Sequence, residues 1–247
     1  MIDFKRKRRA YLMPVLQPIR RVLNVLKKFA YPDHIIPKSV YQIYVEDQNY
    51  QCFLHFKELL KSTLLLTTKK IREYAIKESI KNDSNSDYTY LEFGVFSGTT
   101  ITFFSKYLTK NKIYGFDSFE GLKEHWLGTT VTKGTFDLKK KIPTLPKNVV
   151  PVAGWIQDTL PPFLNEKKPK INFVHIDVDT YETTKFILDL IKPQLVKGAI
   201  ILFDELYNFE GWDVGEYKAL TEVFAKNEYK FEAFAHDGQQ ALIKILN

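Results

Sequence analysis

Two acidic groups follow apolar runs and have the spacing of a cation-binding site. Asp177 ends the run "INFVHID", and Asp204 and Glu205 follow "GAIILF" roughly 27 residues later. Burying carboxylates without a partner is costly. On adjacent parallel strands the three would meet at one edge of the sheet and need a cation or a shared proton. Because oxygen ligands suit Mg²⁺, Ca²⁺ or Mn²⁺, the sequence predicts a hard divalent metal at these three residues.

A glycine-containing turn follows the first predicted strand, in "LEFGVFSGTT". Gly94 and Gly98 allow a tight turn and close backbone approach to a ligand, with Ser97 between them. The turn lacks the G-x-G-x-x-G pattern of a dinucleotide site, and the acid Glu92 suits a cationic or amine-bearing ligand better than a pyrophosphate. The alternative is a purely structural turn between a strand and a helix.

Two further strand ends carry candidate nucleoside contacts. Asp117, followed by Ser118, ends "YGFD" about 23 residues after Gly94, close to the spacing at which an acid meets ribose hydroxyls in α/β folds. Alternatively, Asp117 is a solvated strand-end residue. In "VAGWIQDTLPPF", Trp155 or Ile156 could flank an adenine ring, while Asp158 is either a helix cap or a ligand contact.

The elements that position these residues alternate along the chain. From residue 88, short apolar runs alternate with helical segments, which predicts an α/β, Rossmann-like, mostly parallel sheet with helices on both faces. "KFEAFAHDGQQALIKIL" predicts a terminal antiparallel hairpin. Residues 1–87 are predicted to form a basic, helical extension or cap, and residues 88–247 the α/β domain. In such sheets, ligands bind at the carboxyl ends of the strands.

Excess positive charge is concentrated at the N-terminus. The net charge is +7, and residues 1–30 carry nine Lys/Arg against one Asp. From residue 15, apolar residues at helical spacing predict a short basic amphipathic helix. It would pack on the domain or on a second copy in a homo-oligomer, contact an anionic membrane surface, or bind nucleic acid. The remainder of the chain carries no basic excess, which argues against a nucleic-acid enzyme.

Cysteine content and hydropathy indicate the compartment. The single cysteine, Cys52, excludes an intramolecular disulfide framework and a Cys-rich zinc site, and it suits a reducing environment. No apolar run approaches the roughly 20 residues of a membrane span. We therefore expect a cytoplasmic protein, with residues 1–30 as the candidate for peripheral contact with an anionic membrane.

Five segments in this order resemble the macrocin O-methyltransferase family: "LEFGVFSG", "YGFDSFEGL", "GWIQDTLP", "HIDVDTYETT" and "FDEL". The resemblance covers roughly residues 88–224. It implies a class I methyltransferase fold with a seven-stranded sheet, S-adenosylmethionine (SAM) as methyl donor, a bound Mg²⁺ and a sugar hydroxyl as acceptor. Two positions depart from the family pattern, since Glu205 replaces its usual Asp and Val178 replaces Gly.

The resemblance also implies roles for individual residues. The glycine turn with Glu92 would bind SAM, Asp117 would hold its ribose, and Asp177, Asp204 and Glu205 match the metal ligands. The family's catalytic histidine has no clear match, so Asp177 or a histidine, His125 or His236, is the candidate base.

The function predicted from the sequence is SAM-dependent O-methylation of a hydroxyl on a sugar or glycoconjugate, assisted by Mg²⁺ or Mn²⁺. The acceptor is thus a small molecule or glycan. Two alternatives stay open at this stage. One is methylation of an amine or nucleic acid, although "LPPF" follows the third strand and lacks the leading Asn or Asp of the motif used for base amines. The other is a non-enzymatic α/β binding protein.

Overall fold

The computed structural model describes residues 37–247, so the basic helix predicted within residues 1–30 lies outside the described residues. Along the sequence, the chain divides into two compact units, with the boundary between Tyr44 and Val45. Only residues 37–44 of the first unit are described. The second, Val45–Asn247, contains the whole sheet. Residues 64–82, which the sequence assigns to the extension, contribute a strand and a helix to this second unit.

Six α-helices and eight strands occur in the described residues. The helices are α1 (Val40–Ser62), α2 (Thr68–Asn82), α3 (Thr99–Ser105), α4 (Ile156–Lys167), α5 (Tyr181–Ile191) and α6 (Glu216–Val223). The strands are β1 (Leu64–Leu66), β2 (Thr89–Phe93), β3 (Ile113–Asp117), β4 (Val149–Ala153), β5 (Ile171–Ile176), β6 (Leu195–Phe203), β7 (Tyr229–Ala235) and β8 (Ala241–Ile245).

The strands form one sheet in the order β1-β7-β8-β6-β5-β2-β3-β4. β8 is antiparallel to both of its neighbours, and every other adjacent pair is parallel. The α/β fold with a terminal antiparallel hairpin is therefore confirmed. An eighth strand, β1, joins the sheet edge beside β7. It was missed because "LLL" falls within a stretch whose apolar spacing is helical.

Both faces of the sheet are covered. All six residues of β5 are buried, as expected for a central strand of a parallel sheet. On α5, the spacing of Thr184, Ile187, Leu188 and Ile191 places one stripe of side chains in the core. The core accordingly consists of two apolar clusters that contain alternate residues of the central strands.

The order of the strands creates a crevice between β2 and β5. The chain runs outward from β2 to β3 and β4, then returns to place β5 and β6 on the other side of β2. Backbone hydrogen bonds continue past the strand ends, from Asp177 N–H to Phe93 O (2.9 Å) and from Asp204 N–H to Ile176 O (2.9 Å). The residues after β2, β5 and β6 are thereby held side by side, where open α/β sheets bind ligands.

Candidate active site

A cavity of about 320 Å³ lies at these strand ends, within the range of small-molecule sites. Among the residues singled out from the sequence, the cavity is lined by Gly94, Asp117, Ser118, Trp155, Ile156, Asp177 and Glu205. The others do not line it: Glu92, Ser97, Gly98, His125, Asp158, Asp204 and His236. The structure therefore brings the predicted nucleoside contacts together with two of the three predicted metal ligands.

Both glycines of the turn are required by the backbone. Gly94 has φ +87°, and a Cβ there would lie 1.7 Å from the carbonyl oxygen of Asp177. Gly98, with φ +79°, precedes α3, and its Cβ would lie 2.6 Å from Leu145 Cδ2. The strand ends of β2 and β5 can approach this closely only because residue 94 has no side chain.

Asp117 has a structural task as well as a place in the cavity wall. Its Oδ2 accepts hydrogen bonds from the backbone N–H groups of Val95 (2.8 Å) and Phe96 (2.7 Å), and Oδ1 accepts from Phe119 N–H (2.7 Å). A carboxylate has about four lone-pair positions. Asp117 thus fixes the glycine turn and retains capacity for about one more donor, fewer than the two ribose hydroxyls that we expected it to bind.

Trp155 lines the cavity immediately before α4 and offers an apolar ring face. Asp158 instead lies exposed in the first turn of α4, where a negative charge is favoured by the helix dipole. Ser97 is also exposed, and its hydroxyl contacts that of Thr99 at 3.0 Å. The geometry therefore favours Trp155 as a ligand contact and does not place Asp158 or Ser97 in the cavity wall.

Three carboxylates converge on one side of the cavity. Ligand oxygens of Asp177, Asp179 and Glu205 lie within 4.8 Å of one another, and all three residues line the cavity. Glu205 Oε2 is buried and has no hydrogen-bond partner. An all-oxygen donor set with an unpartnered buried oxygen fits a hard divalent cation.

Burial and mutual repulsion make these acids reluctant to ionise. Burial, followed by the charge of Asp204, raises the pKa values of Asp177 and Glu205 well above the usual range. The same causes raise the pKa of Asp179 to about 7. A fourth acid, Glu216, is completely buried; it accepts a hydrogen bond from Glu205 N–H (3.0 Å), and burial raises its pKa. The cluster therefore favours a cation or bound protons.

Asp204 is held differently from its neighbours. Its Oδ1 accepts hydrogen bonds from Arg72 (3.0 Å), His175 (3.2 Å) and Gln240. Burial alone would raise the pKa of Asp204, but the His175 hydrogen bond and the charges of His175 and Arg72 hold it below the ordinary value. Asp204 lines a second cavity, of about 360 Å³, with Asp237 and Asn208.

Glu92 lies beneath the site, outside the wall of the cavity. It is completely buried and is the cross-strand neighbour of His175, whose Nδ1 lies 3.3 Å from Glu92 Oε2. Burial alone would lower the pKa of His175, but its hydrogen bond to Asp204 and the neighbouring charge of Glu92 raise it to about 10. This placement corrects the expectation that Glu92 contacts the cofactor, because its carboxylate has no access to the cavity.

The histidines proposed as candidate bases lie elsewhere. His125 is exposed, and its Nδ1 accepts a hydrogen bond from Lys133 N–H (3.2 Å). His236 is exposed in the turn between β7 and β8. Neither lines the cavity, so the geometry leaves Asp177 as the predicted base that does.

Four ionisable residues in or beside the carboxylate cluster were not assigned a role from the sequence: Arg72, His175, Asp179 and Glu216. Two of them could have been found from the sequence. His175 and Asp179 are each two residues from Asp177, so in the extended "HIDVD" segment all three side chains lie on the same side. Arg72 and Glu216 lie on helices with no local motif. Their position follows from tertiary packing.

The comparisons with known proteins agree with this geometry. Residues 91–206 match the model of a methyltransferase domain. This segment, slightly less than half of the chain, is similar to methyltransferase domains. It begins in β2 and ends just after Glu205, and it therefore contains the glycine turn, Asp117 and Asp177. The prediction of a methyltransferase enzyme is confirmed at this level; the narrower macrocin family is not what the matched model describes. No curated protein matches the chain in sequence.

Solved structures share the fold of the methyltransferase domain at low identity. CalS11, a calicheamicin methyltransferase, is 21% identical over 85% of this chain and 94% of its own, with a TM-score of 0.58. The O-methyltransferase NovP is 17% identical to this chain; the match covers 72% of this chain and 79% of NovP, with a TM-score of 0.54. An O-methyltransferase from Bacillus cereus in complex with SAH is 13% identical to this chain; the match covers 92% of this chain and 97% of the Bacillus chain, with a TM-score of 0.50. The class I methyltransferase fold is confirmed.

Proposed function

We propose that the protein is a SAM-dependent O-methyltransferase that acts on a hydroxyl of a sugar or glycoconjugate with the help of Mg²⁺ or Mn²⁺. The observation that carries this proposal is the single cavity shared by the glycine turn and by the carboxylates Asp177, Asp179 and Glu205. The part of the cavity beside the glycine turn suits a nucleoside-bearing methyl donor. The part beside the carboxylates suits activation of an acceptor hydroxyl.

The donor half of the cavity can hold SAM by ordinary contacts. Gly94 lines the cavity, and Trp155 and Ile156 offer apolar surface to an adenine ring. Asp117, with its remaining lone pair, and Ser118 are the groups available to ribose hydroxyls.

On the acceptor side, Asp177 is the residue placed to remove a proton. Without a bound cation, burial raises the pKa of Asp177, so its carboxylate would accept a proton more readily than that of an exposed aspartate. SAM would supply its methyl group to the acceptor oxygen and leave as S-adenosylhomocysteine (SAH), and Asp177 would hold the proton that the hydroxyl loses. A divalent cation held by Asp177, Glu205 and either Asp179 or Asp204 would lower the pKa of the acceptor hydroxyl.

A sugar acceptor is supported by the resemblance and by one structural neighbour. An apo structure of CalS11 describes it as a TDP-rhamnose 3'-O-methyltransferase. The macrocin resemblance of residues 88–224 points to the same acceptor class. We therefore place sugar nucleotides and glycolipids first among candidate acceptors, ahead of amines and nucleic acids.

The test is methyl transfer from labelled SAM to a panel of sugar nucleotides and glycolipids, with EDTA, Mg²⁺ or Mn²⁺. We expect label in an acceptor hydroxyl, loss of transfer with EDTA and recovery with either metal. Asp177→Asn should lose transfer, whereas Asp158→Asn, an exposed acid outside the cavity, should not. Methyl transfer to an amine instead would contradict the proposed hydroxyl acceptor. Methyl transfer that EDTA does not affect would contradict the proposed metal.

We further propose a cytoplasmic location with peripheral membrane contact through residues 1–30, which lie outside the described residues. None of the described helices has both the length and the apolar character needed to cross a membrane. Sedimentation with vesicles of anionic phospholipid checks the contact. Full-length protein should sediment and a variant lacking residues 1–30 should not; equal sedimentation of the two would contradict the proposal.

A further inference from the structure

Asp204 is oriented by three side chains that come from distant parts of the chain. Arg72 lies on α2, His175 on β5, and Gln240 immediately before β8. Each donates to the same oxygen, Oδ1, at 3.0 Å from Arg72, at 3.2 Å from His175 and by a short contact from Gln240. The separations along the chain are 132, 29 and 36 residues. A contact of this kind depends on the complete fold of the domain.

The imidazole of His175, one of the three donors, is held in place by contacts on its other side. His175 has no exposed surface, and its Nδ1 lies 3.3 Å from Glu92 Oε2 on the neighbouring strand. The ring of Phe104 packs edge-on against the imidazole with centroids 5.2 Å apart. The imidazole therefore cannot turn without breaking contacts at both nitrogens.

Convergence of three donors on Oδ1 leaves Oδ2 for a further partner. A ligand oxygen of Asp204 lies within 4.8 Å of a ligand oxygen of Asp177, and Asp177 lines the cavity with Glu205. Carboxylates that bind metals are commonly hydrogen-bonded through their second oxygen, which fixes their direction.

We propose that Arg72, His175 and Gln240 are positioning residues that orient Asp204 toward a divalent cation shared with Asp177 and Glu205, and that Glu92 fixes His175. This inference rests on the proposed metal-assisted function. It gives the segment before residue 88 a direct part in the site, because Arg72 belongs to α2.

The experiment measures Mn²⁺ binding by electron paramagnetic resonance, with SAH affinity and the melting temperature recorded on the same samples. Arg72→Met should weaken Mn²⁺ binding by about 10- to 100-fold, the usual loss when an outer partner of a metal ligand is removed. Affinity for SAH should stay within about twofold, because Arg72 does not line the SAM cavity. Arg72→Lys, which keeps a cationic donor, should recover part of the Mn²⁺ affinity.

Lys77→Met is the matched control, since Lys77 lies on the same helix but contacts Glu73 (2.6 Å) and the ring of Tyr107 rather than Asp204. It should bind Mn²⁺ as the wild type does. Gln240→Met provides an independent variant if Arg72→Met does not fold. If folded Arg72→Met or Gln240→Met binds Mn²⁺ with wild-type affinity, the positioning inference is overturned, but the metal proposal is not. Absence of Mn²⁺ binding to the wild type would overturn the metal proposal and the inference with it.

Discussion

At the scale of single residues, Gly94 is the glycine at which a side chain would have the least room, because the backbone of Asp177 occupies that space. Any side chain at residue 94 would overlap the Asp177 carbonyl oxygen, which lies 1.7 Å from an ideal Cβ position. This contact couples the donor half of the cavity to the acid that we propose as base. A change at Gly94 should therefore affect both stability and SAM binding.

Gly94→Ala can be compared with Gly134→Ala, because both positions have nearly the same positive φ (+87° and +82°) but a Cβ at Gly134 meets nothing within 4 Å. The control should lose about 1–2 kcal/mol of unfolding free energy from backbone conformation alone. Gly94→Ala should lose about 1–3 kcal/mol more from overpacking. Urea denaturation measures both variants; equal losses would show that the contact with Asp177 relaxes freely.

Individual residues also show the limit of reading chemistry from the sequence. The acids at the ends of β5 and β6 were predicted to meet, and the structure places them together because the strands are adjacent and parallel. The partners of Asp204 were not predictable, since Arg72 is 132 residues away and no local pattern marks it. Glu92 was misassigned because adjacency to a glycine turn does not reveal which side of the sheet a side chain faces.

At the scale of elements, the connection between β3 and β4 is tied to the start of α5 by one side chain. Glu124 Oε1 accepts hydrogen bonds from the hydroxyls of Thr180 and Thr183, both at 3.0 Å. Both threonines are buried and line the cavity, as do Lys123 and Phe136 of the connection. Glu124 therefore holds this long connection against the SAM cavity.

Glu124→Ala should loosen the connection without unfolding the domain. Trypsin cleavage after Lys139–Lys141 should become about tenfold faster, equivalent to losing about 1.4 kcal/mol of local stability. Glu120→Ala is the control, since Glu120 pairs with Lys140 within the connection (3.3 Å). Cleavage of Glu124→Ala at the rate of Glu120→Ala would contradict the anchoring role.

Most elements were predictable because their patterns are local. The apolar runs of β2, β3, β5 and β6 alternate along the chain with segments whose apolar residues have helical spacing, which indicates a parallel sheet. The final two strands flank a turn-forming "HDGQ" segment. β1 was not predictable, because three leucines carry no strand signature. They form a strand through pairing with the edge of β7.

At the scale of the whole molecule, the carboxylate cluster should make stability depend on pH and on metal. Asp179 has a pKa of about 7 in the folded protein and an ordinary value of 3.8. Between these values the folded state binds more protons than the unfolded state. Without metal, stability should therefore fall as pH rises from about 4 to 7, by up to about 1.4 kcal/mol per pH unit for this residue.

Asp179→Asn is the informative variant for this dependence. Asn tolerates the positive φ of residue 179 (+63°), and it removes the charge. In EDTA, its unfolding free energy should change less between pH 5 and 8 than that of the wild type, and it should be the more stable protein at pH 8. A wild-type pH profile for Asp179→Asn would show that this residue does not ionise in that range.

The central claim is that one cavity brings a SAM-binding turn next to a cation-binding cluster of acids. A crystal structure of the protein grown with SAH and Mn²⁺, with anomalous data, tests it most directly. The account predicts SAH beside Gly94 and Trp155 with its ribose near Asp117 or Ser118, and an anomalous peak at Asp177 and Glu205. SAH bound outside this cavity, or an anomalous map without a peak at these carboxylates, would contradict it.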